Sequence, residues 1–372
     1  MRHTLICTVG TSLFGNLNRA GEDLQKLKEA KNWKQLSLWL LEQDNTRRVC
    51  GAEINSIASI VDKNLIDDRR RLIFLVSDTD DGIATGELLK LYYEQRQNPV
   101  RFQEVDYRKL EGLRDDNVEL FKREGLRNLV KEISTEVRNF DPSSIAINAT
   151  GGYKAQISFA GMVGQALEIP VYYLFEKFSE VIALPPQPVS LDLAFWLNHY
   201  VSFSQLEKDD NKNLVLQEEI DLPWEDERVS TLIDKEKIDN RVYVTFSAMG
   251  VLFNERARLQ FARQEKTILS NIPQNDTSAK QKTIKLRDDH GKDILQEFSK
   301  KLCQSPYVVE IINSLPFNPK QTDPIRRTTE EGIIEFILTW TDAGLGVCIQ
   351  TTGRNQAETN AIAIHLQKQY AK

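Results

Sequence analysis

The chain has 372 residues, 41% hydrophobic and 27% charged, with a formal net charge of −6. At about 150 residues per domain that length implies two or three domains, and the composition excludes collagen-like, low-complexity and disordered classes. No apolar run approaches the ~18 residues of a membrane span, so no membrane partner is expected. The opening Met1–Ile6 lacks the apolar stretch and cleavage site of a signal peptide, which predicts a cytoplasmic protein.

The first half alternates strand and helix signals. Thr4–Thr8 reads as a short strand closed by Gly10, and Ala20–Gln43 as a helix with Leu24, Leu27, Trp33, Leu36 and Leu40 at helical spacings. Ala52–Leu65 repeats the helical pattern, Arg71–Ser77 is an apolar strand, and Gly82–Tyr93 a helix. Val100–Val105 follows as a strand, Leu113–Phe140 as a long amphipathic helix and Ser144–Ala149 as a strand. Lys154–Leu167 reads as a helix and Ile169–Leu174 as a last strand. This alternation predicts an α/β, Rossmann-like domain with a parallel sheet over residues 1–185.

The Pro-rich stretch from residue 185 stops the pattern. Residues 186–270 read as a mixed helical linker or dimerisation segment, winged-helix-like in one reading, with an aromatic helix at Leu191–Phe203. The polar run Asn271–Lys282 reads as a linker. Residues 280–372 form a small α+β domain: a helix at Asp288–Cys303, strands at Ile333–Trp340 and Gly346–Thr351, and a helix from Gln356 to Tyr370. This segment holds 13 Lys/Arg against 11 Asp/Glu, a mildly basic tail on an acidic body.

Cys7, Cys50, Cys303 and Cys348 form no CxxC pair, and His3, His199, His290 and His365 no metal-ligand spacing. No metal and no cofactor are therefore expected. The chemistry points instead to two glycine turns at strand ends, where open parallel sheets take their ligands. Thr8-Val9-Gly10-Thr11-Ser12-Leu13 offers a close backbone approach and two hydroxyls. Asn148-Ala149-Thr150-Gly151-Gly152-Tyr153-Lys154 offers backbone amides and a lysine at a helix N-terminus, where an anion is favoured. Each turn alone is also what a tight strand–helix connection requires. The acidic loop Asp78–Asp81, also at a strand end, reads first as a solvated turn.

Together, a first strand ending in VGTSL and a later one ending in NATGGYK resemble the CARF domain of CRISPR defence systems over residues 1–185. The resemblance implies a homodimeric sensor of cyclic oligoadenylates, with cyclic tetra-adenylate as activator. Gly10, Thr11, Ser12, Asn148, Thr150, Gly151, Gly152 and Lys154 are then the ligand-binding set. Some CARF domains cleave their ligand, and Ser12 and Lys154 match the places used for that.

Such proteins carry effectors. Arg287-Asp288-Asp289-His290 is too closely spaced for a HEPN ribonuclease, and Glu335 lacks the lysine of a PD-(D/E)xK nuclease. Residues 280–372 instead resemble the RelE family of ribosome-dependent mRNA endonucleases, in element order more than in motif. That resemblance implies metal-independent cleavage of mRNA on the ribosome, with Arg326, Arg327 and Arg354 as the catalytic cations. The tyrosine that usually follows the last arginine has no counterpart here; Glu358 and Thr359 stand near its place. Simpler readings exist for each residue: a charged hairpin for Arg326-Arg327, an ion pair with Glu358 for Arg354, packing for His365 and Trp340. Two other functions remain open: a ring nuclease alone, or a ligand-controlled transcription regulator.

Overall fold

A computed structural model describes residues 1–175, 179–184, 191–207, 214–288, 291–319, 323–338 and 344–370. Trp340 and His290 lie outside these residues. The chain divides into two compact units, one comprising Met1–Ser190 with Thr231–Asp234 and Phe246–Arg256, the other the remainder.

In the first unit β1 (Thr4–Thr8) leads into α1 (Ser12–Ala20), α2 (Glu22–Glu29), α3 (Trp33–Leu41) and α4 (Gly51–Asp62). Then come β2 (Arg71–Ser77), α5 (Asp80–Glu94), β3 (Glu104–Leu110), the single turn α6 (Val118–Leu120) and α7 (Leu126–Asn139). β4 (Ile145–Asn148), α8 (Lys154–Leu167), β5 (Val171–Tyr173) and β6 (Ile182–Leu184) complete it. The sheet order is β3-β2-β1-β4-β5-β6; all neighbouring pairs are parallel except β5–β6. This is an α/β, Rossmann-like fold.

Alternation along the central strands explains the layers. Leu5 and Cys7 of β1, with Leu72, Phe74 and Val76 of β2, face one core with Leu13, Leu36, Ile54, Ile57 and Leu89 from α1, α3, α4 and α5. The intervening Ile6, Ile73 and Leu75 are equally buried, and α7 and α8 pack together with α8 against β1. Strands buried on both faces read as continuous apolar runs, and these two do.

Several expectations need correction. The segment Ala20–Gln43 is two helices, because Lys31 adopts φ 52° and Asn32 caps the second by accepting from Gln35 N at 3.2 Å. A separate helix, α1, already starts at Ser12. The strand expected at Val100–Val105 starts later, at Glu104, which pairs with Arg71. Val100 and Phe102 are core residues of the preceding loop, and the true strand is an edge whose charged residues hid it. The helix expected from Leu113 starts only at Val118, where Asn117 accepts from Leu120 N; a π turn, Phe121–Gly125, precedes α7.

The second unit contains α9 (Leu193–Asn198), α10 (Tyr200–Leu206) and β7 (Val215–Leu216). After α11 (Glu227–Leu232) come β8 (Ile233–Ile238) and β9 (Arg241–Phe246), joined by Asp239 and Asn240 at positive φ, which suits a two-residue hairpin turn. β7, β9 and β8 form a small sheet in that order. α12 spans Ala248–Ser270. A four-stranded sheet, β10-β13-β12-β11, follows with antiparallel neighbours: β10 (Val308–Ser314), β11 (Ile325–Thr328), β12 (Ile333–Ile337) and β13 (Gly346–Thr351). It packs with α13 (Lys292–Leu302) and α14 (Gln356–Tyr370). β10 and β11 were not anticipated, being half-exposed strands with mixed polarity.

Candidate functional site

In the order β3-β2-β1-β4-β5 the chain reverses direction across the sheet between β1 and β4. A doubly wound fold leaves a crevice outside the carboxyl ends at that point. Both glycine turns end there, and they touch: a Cβ added at Gly10 would stand 2.9 Å from Gly152 N. Thr8 Oγ1 donates to Gly151 O at 2.5 Å, stitching one turn to the other across 143 residues of sequence.

The second turn is held from beneath. Thr150 Oγ1 donates to Asn148 Oδ1 at 2.6 Å and accepts from Leu174 N at 3.0 Å. Asn148 Nδ2, buried, donates to Ser56 Oγ at 2.8 Å. Asn148 and Thr150 are thus engaged internally and shape the loop. Gln156 Oε1 accepts from Tyr153 N while its Nε2 donates to Leu75 O at the end of β2. Gly152 sits at φ +106°, a conformation that favours glycine. No acceptor among the described residues takes the amides of Gly151 or Gly152, at the head of the 14-residue helix α8.

Around this floor stand the exposed side chains of the two turns. Thr11, Ser12 and Lys154 are exposed, and Lys154 has no salt bridge among the described residues. It is the one cation within residues 8–13 and 148–154. Tyr153, half-buried, meets Phe121 edge-on with ring centroids 5.5 Å apart. The arrangement suits a phosphate-bearing ligand with a flat base: amides and a helix N-terminus for anionic oxygens, one point charge, two hydroxyls and an aromatic edge.

One participant escaped the sequence analysis. Glu53, at the start of α4, is 1% exposed. Its Oε1 accepts from Gly10 N at 2.8 Å, and a Cβ on Gly151 would fall 2.1 Å from that same oxygen. Glu53 Oε2 has no hydrogen-bond partner. Burial pushes its carboxyl above the usual carboxylate range, against the lowering effect of the Gly10 and Glu53 amides. The signal was present: Glu53, Ser56, Ile57 and Ile60 share one helical face, and a carboxylate on an apolar face asks for an explanation. Glu53 also takes up the amide of Gly10, a residue of the expected ligand-binding set.

A separate groove of 490 Å³ is lined by Lys28, Trp33, Asp81 and Glu87 among others. Several of its polar groups pair with each other, Lys28 with Asp81 at 3.3 Å and Trp33 Nε1 with Glu87 Oε2 at 2.7 Å.

In the second unit, Arg326 and Arg327 lie in β11, at the edge of the four-stranded sheet. A register shift between Ile325 and Arg327 sets both arginines opposite Glu335. Arg326 Nε donates to Glu335 Oε2 at 2.6 Å; Arg327 is exposed with no carboxylate bound to its guanidinium among the described residues. Cys348 pairs with Glu335 across the sheet, and burial raises its thiol pKa. Arg354 sits in the turn before α14, where Asn355 caps the helix by accepting from Glu358 N. Arg354 Nη2 donates to Glu358 Oε1 at 2.6 Å and to Asn271 O at 3.1 Å, and this pairing holds the Glu358 carboxyl below its usual range. His365 is tied to Glu265 at 2.8 Å.

Fold and crevice together define a Rossmann-like protein with two glycine turns meeting at its switch point. Residues 48–187 match the model of a CRISPR-associated protein family, Cas_APE2256. Among solved structures, Can2 from Sulfobacillus thermosulfidooxidans in complex with cyclic tetra-adenylate is 11% identical; the match covers 74% of this chain and 68% of that one, with a TM-score of 0.24. Protein VC1899 from Vibrio cholerae is 10% identical over 69% of this chain and 85% of that one, with a TM-score of 0.23. No helix among the described residues is long and apolar enough to cross a membrane.

Proposed function

We propose that the first unit is a sensor of cyclic oligoadenylate, specifically cyclic tetra-adenylate, acting in type III CRISPR antiviral defence. The observation that carries this reading is the convergence of the two glycine turns at the switch point, with two unclaimed amides, a helix N-terminus and the unpaired Lys154. The CRISPR-associated family match over residues 48–187 includes the second turn. Each phosphodiester of the ring carries one negative charge, and its bases offer flat faces for aromatic contact. A four-fold ring suits two copies of this crevice related by a two-fold axis, so the sensor is a homodimer with one ring per two chains. Calorimetric titration of the full chain with cyclic tetra-adenylate tests it; absence of binding refutes it.

The same crevice supports ligand cleavage. Attack by an adenosine 2′-hydroxyl on the adjacent phosphorus, with departure of the 5′-oxygen, needs orientation and charge neutralisation, which Ser12 and Lys154 supply. Cleavage then persists in EDTA and leaves cyclic-phosphate ends; a strict Mg²⁺ requirement would rule it out.

For the second unit, the reading is a RelE-like, metal-independent endoribonuclease that cuts mRNA presented by the ribosome. What supports it is the cluster on the sheet face: Arg326 and Arg327 hold the scissile phosphate, with Glu335 beside them to accept the 2′-hydroxyl proton. Arg354 stabilises developing charge, in competition with Glu358. Message cleavage in a translating extract, with and without cyclic tetra-adenylate, tests this assignment.

A further inference from the structure

Glu53 is unusual in what surrounds it. A buried carboxylate ordinarily has a cation or several donors; Glu53 has one amide donor, Gly10 N, and a second oxygen with none. The groups facing it are uncharged. From β1 come Cys7 and Thr8, and from α1 the Leu13 side chain. α4 contributes the Gly51 backbone at its head, where an added Cβ would stand 3.5 Å from Glu53 Oε2. α5 contributes Tyr93, whose hydroxyl burial pushes well up, and the second turn contributes Gly151 backbone. The thiol of Cys7 is likewise raised by burial. No cation is within bonding distance of the Glu53 carboxyl among the described residues.

The cheaper form of such a group is the neutral acid, which leaves one O–H unsatisfied, where the carboxylate would bury a full charge. Its position adds a second reason. The carboxyl lies against Gly10 and Gly151, directly under the loops whose outer amides face the crevice. An ionised Glu53 would oppose any anion seated there, through a medium that screens poorly.

Resting on the sensor reading above, we propose that Glu53 is a positioning residue that spans the two glycine turns as a neutral acid and couples occupation of the crevice by a phosphodiester to uptake of one proton. Glu53 does not touch the ligand. It fixes Gly10 against the second turn, and its proton removes the one negative charge beneath the site. Phosphodiesters keep a constant charge from about pH 5 to about pH 8, so the proton taken up belongs to the protein.

The test is calorimetry of the full-length wild type with cyclic tetra-adenylate in buffers of different ionisation enthalpy, repeated from about pH 5 to about pH 8. The expected result is proton uptake on binding, rising toward one per crevice as pH increases. Because one ring occupies two crevices, its affinity then weakens by up to about a hundredfold per pH unit above the Glu53 titration. Glu53→Gln, neutral and of the same shape, is expected to abolish the uptake and flatten the pH profile. Binding with no proton uptake, or with the same uptake in Glu53→Gln, overturns the role of Glu53 and leaves the sensor reading standing. Absence of binding at every pH overturns both. The uptake measurement needs no variant, so a Glu53→Gln protein that folded poorly would not rescue the idea.

Discussion

The crevice of the first unit and the polar sheet face of the second handle charge in opposite ways. The crevice is made of backbone: glycine turns, a helix N-terminus and, among the described residues, one lysine without a salt bridge and a buried carboxyl with no cation bonded to it. On the sheet face and the turn before α14, arginines are abundant but largely neutralised, Arg326 by Glu335 and Arg354 by Glu358. Formal charge is therefore a poor guide to where an anion binds. A site built from amides attracts phosphate at no cost in local pairing, whereas a paired arginine must first leave its carboxylate.

If that contrast is right, the three arginines are not equivalent. Arg327, lacking a carboxylate hydrogen bond, should carry the largest effect: Arg327→Ala lowers ligand-stimulated message cleavage by about 10²–10³-fold, or ~2.7–4 kcal/mol. Quantifying cut message in a translating extract checks this, and equal cutting by wild type and variant moves the site elsewhere.

Lys154→Ala comes next. Loss of one charge-assisted contact per chain weakens cyclic tetra-adenylate binding by about 1.5–3 kcal/mol for each of the two chains sharing a ring, with an unchanged melting midpoint, since Lys154 is exposed and has no salt bridge among the described residues. Titration calorimetry beside thermal unfolding separates the two quantities. A drop in stability equal to the drop in binding would make Lys154 structural.

Gly151→Ala tests the closeness of the turns. Its Cβ would collide with Glu53 Oε1, and forcing a methyl into a packed site costs roughly 1–3 kcal/mol, seen as a lower denaturant midpoint. An unaffected midpoint would mean the turns part easily.

Smallest is the pair of carboxyls whose shifts have opposite sign. Glu53 titrates above its unfolded value, so its contribution is complete at low pH and is lost as pH rises through the folded value. Glu358 titrates below its unfolded value because of Arg354, so its contribution is present at neutral pH and lost as pH falls. Glu53→Gln should thus match wild type near pH 5 and exceed it near pH 8. Arg354→Ala should lose only a little stability at neutral pH, because the pair is exposed to solvent, and less still at low pH. Melting curves across that range check both. A larger loss of cleavage in Arg354→Ala than in Arg327→Ala would invert the ranking of the arginines.

The same contrast explains what was legible in the sequence. β1, β2, α8, β13 and α14 were readable at their ends because buried strands are unbroken apolar runs and because glycines and Lys154 mark the start of α8. The pairing of VGTSL with NATGGYK came from the CARF resemblance; that the two turns touch became visible only with the strand order, which sets β1 beside β4. Edge strands were not readable: β3, β10 and β11 each expose one side, and their Arg, Lys and Glu look like loop. Glu53 was missed because its role depends on Gly10 and Gly151, 43 and 98 positions away in the chain. The pairing of Arg354 with Glu358 was foreseeable from their i,i+4 spacing; that of Arg326 with Glu335 needed the bulge in β11.

The central claim is that the two turns form one anion site specific for a cyclic oligoadenylate. Its most direct test is titration of the full-length wild type with cyclic tetra-adenylate, beside linear tetra-adenylate of the same composition and the Lys154→Ala variant. The account predicts saturable binding of one ring per two chains, weaker for the linear molecule and weakened about 10- to 150-fold for each Lys154 that Lys154→Ala removes from the pair. Equal affinity for ring and linear chain, or for wild type and Lys154→Ala, would contradict it.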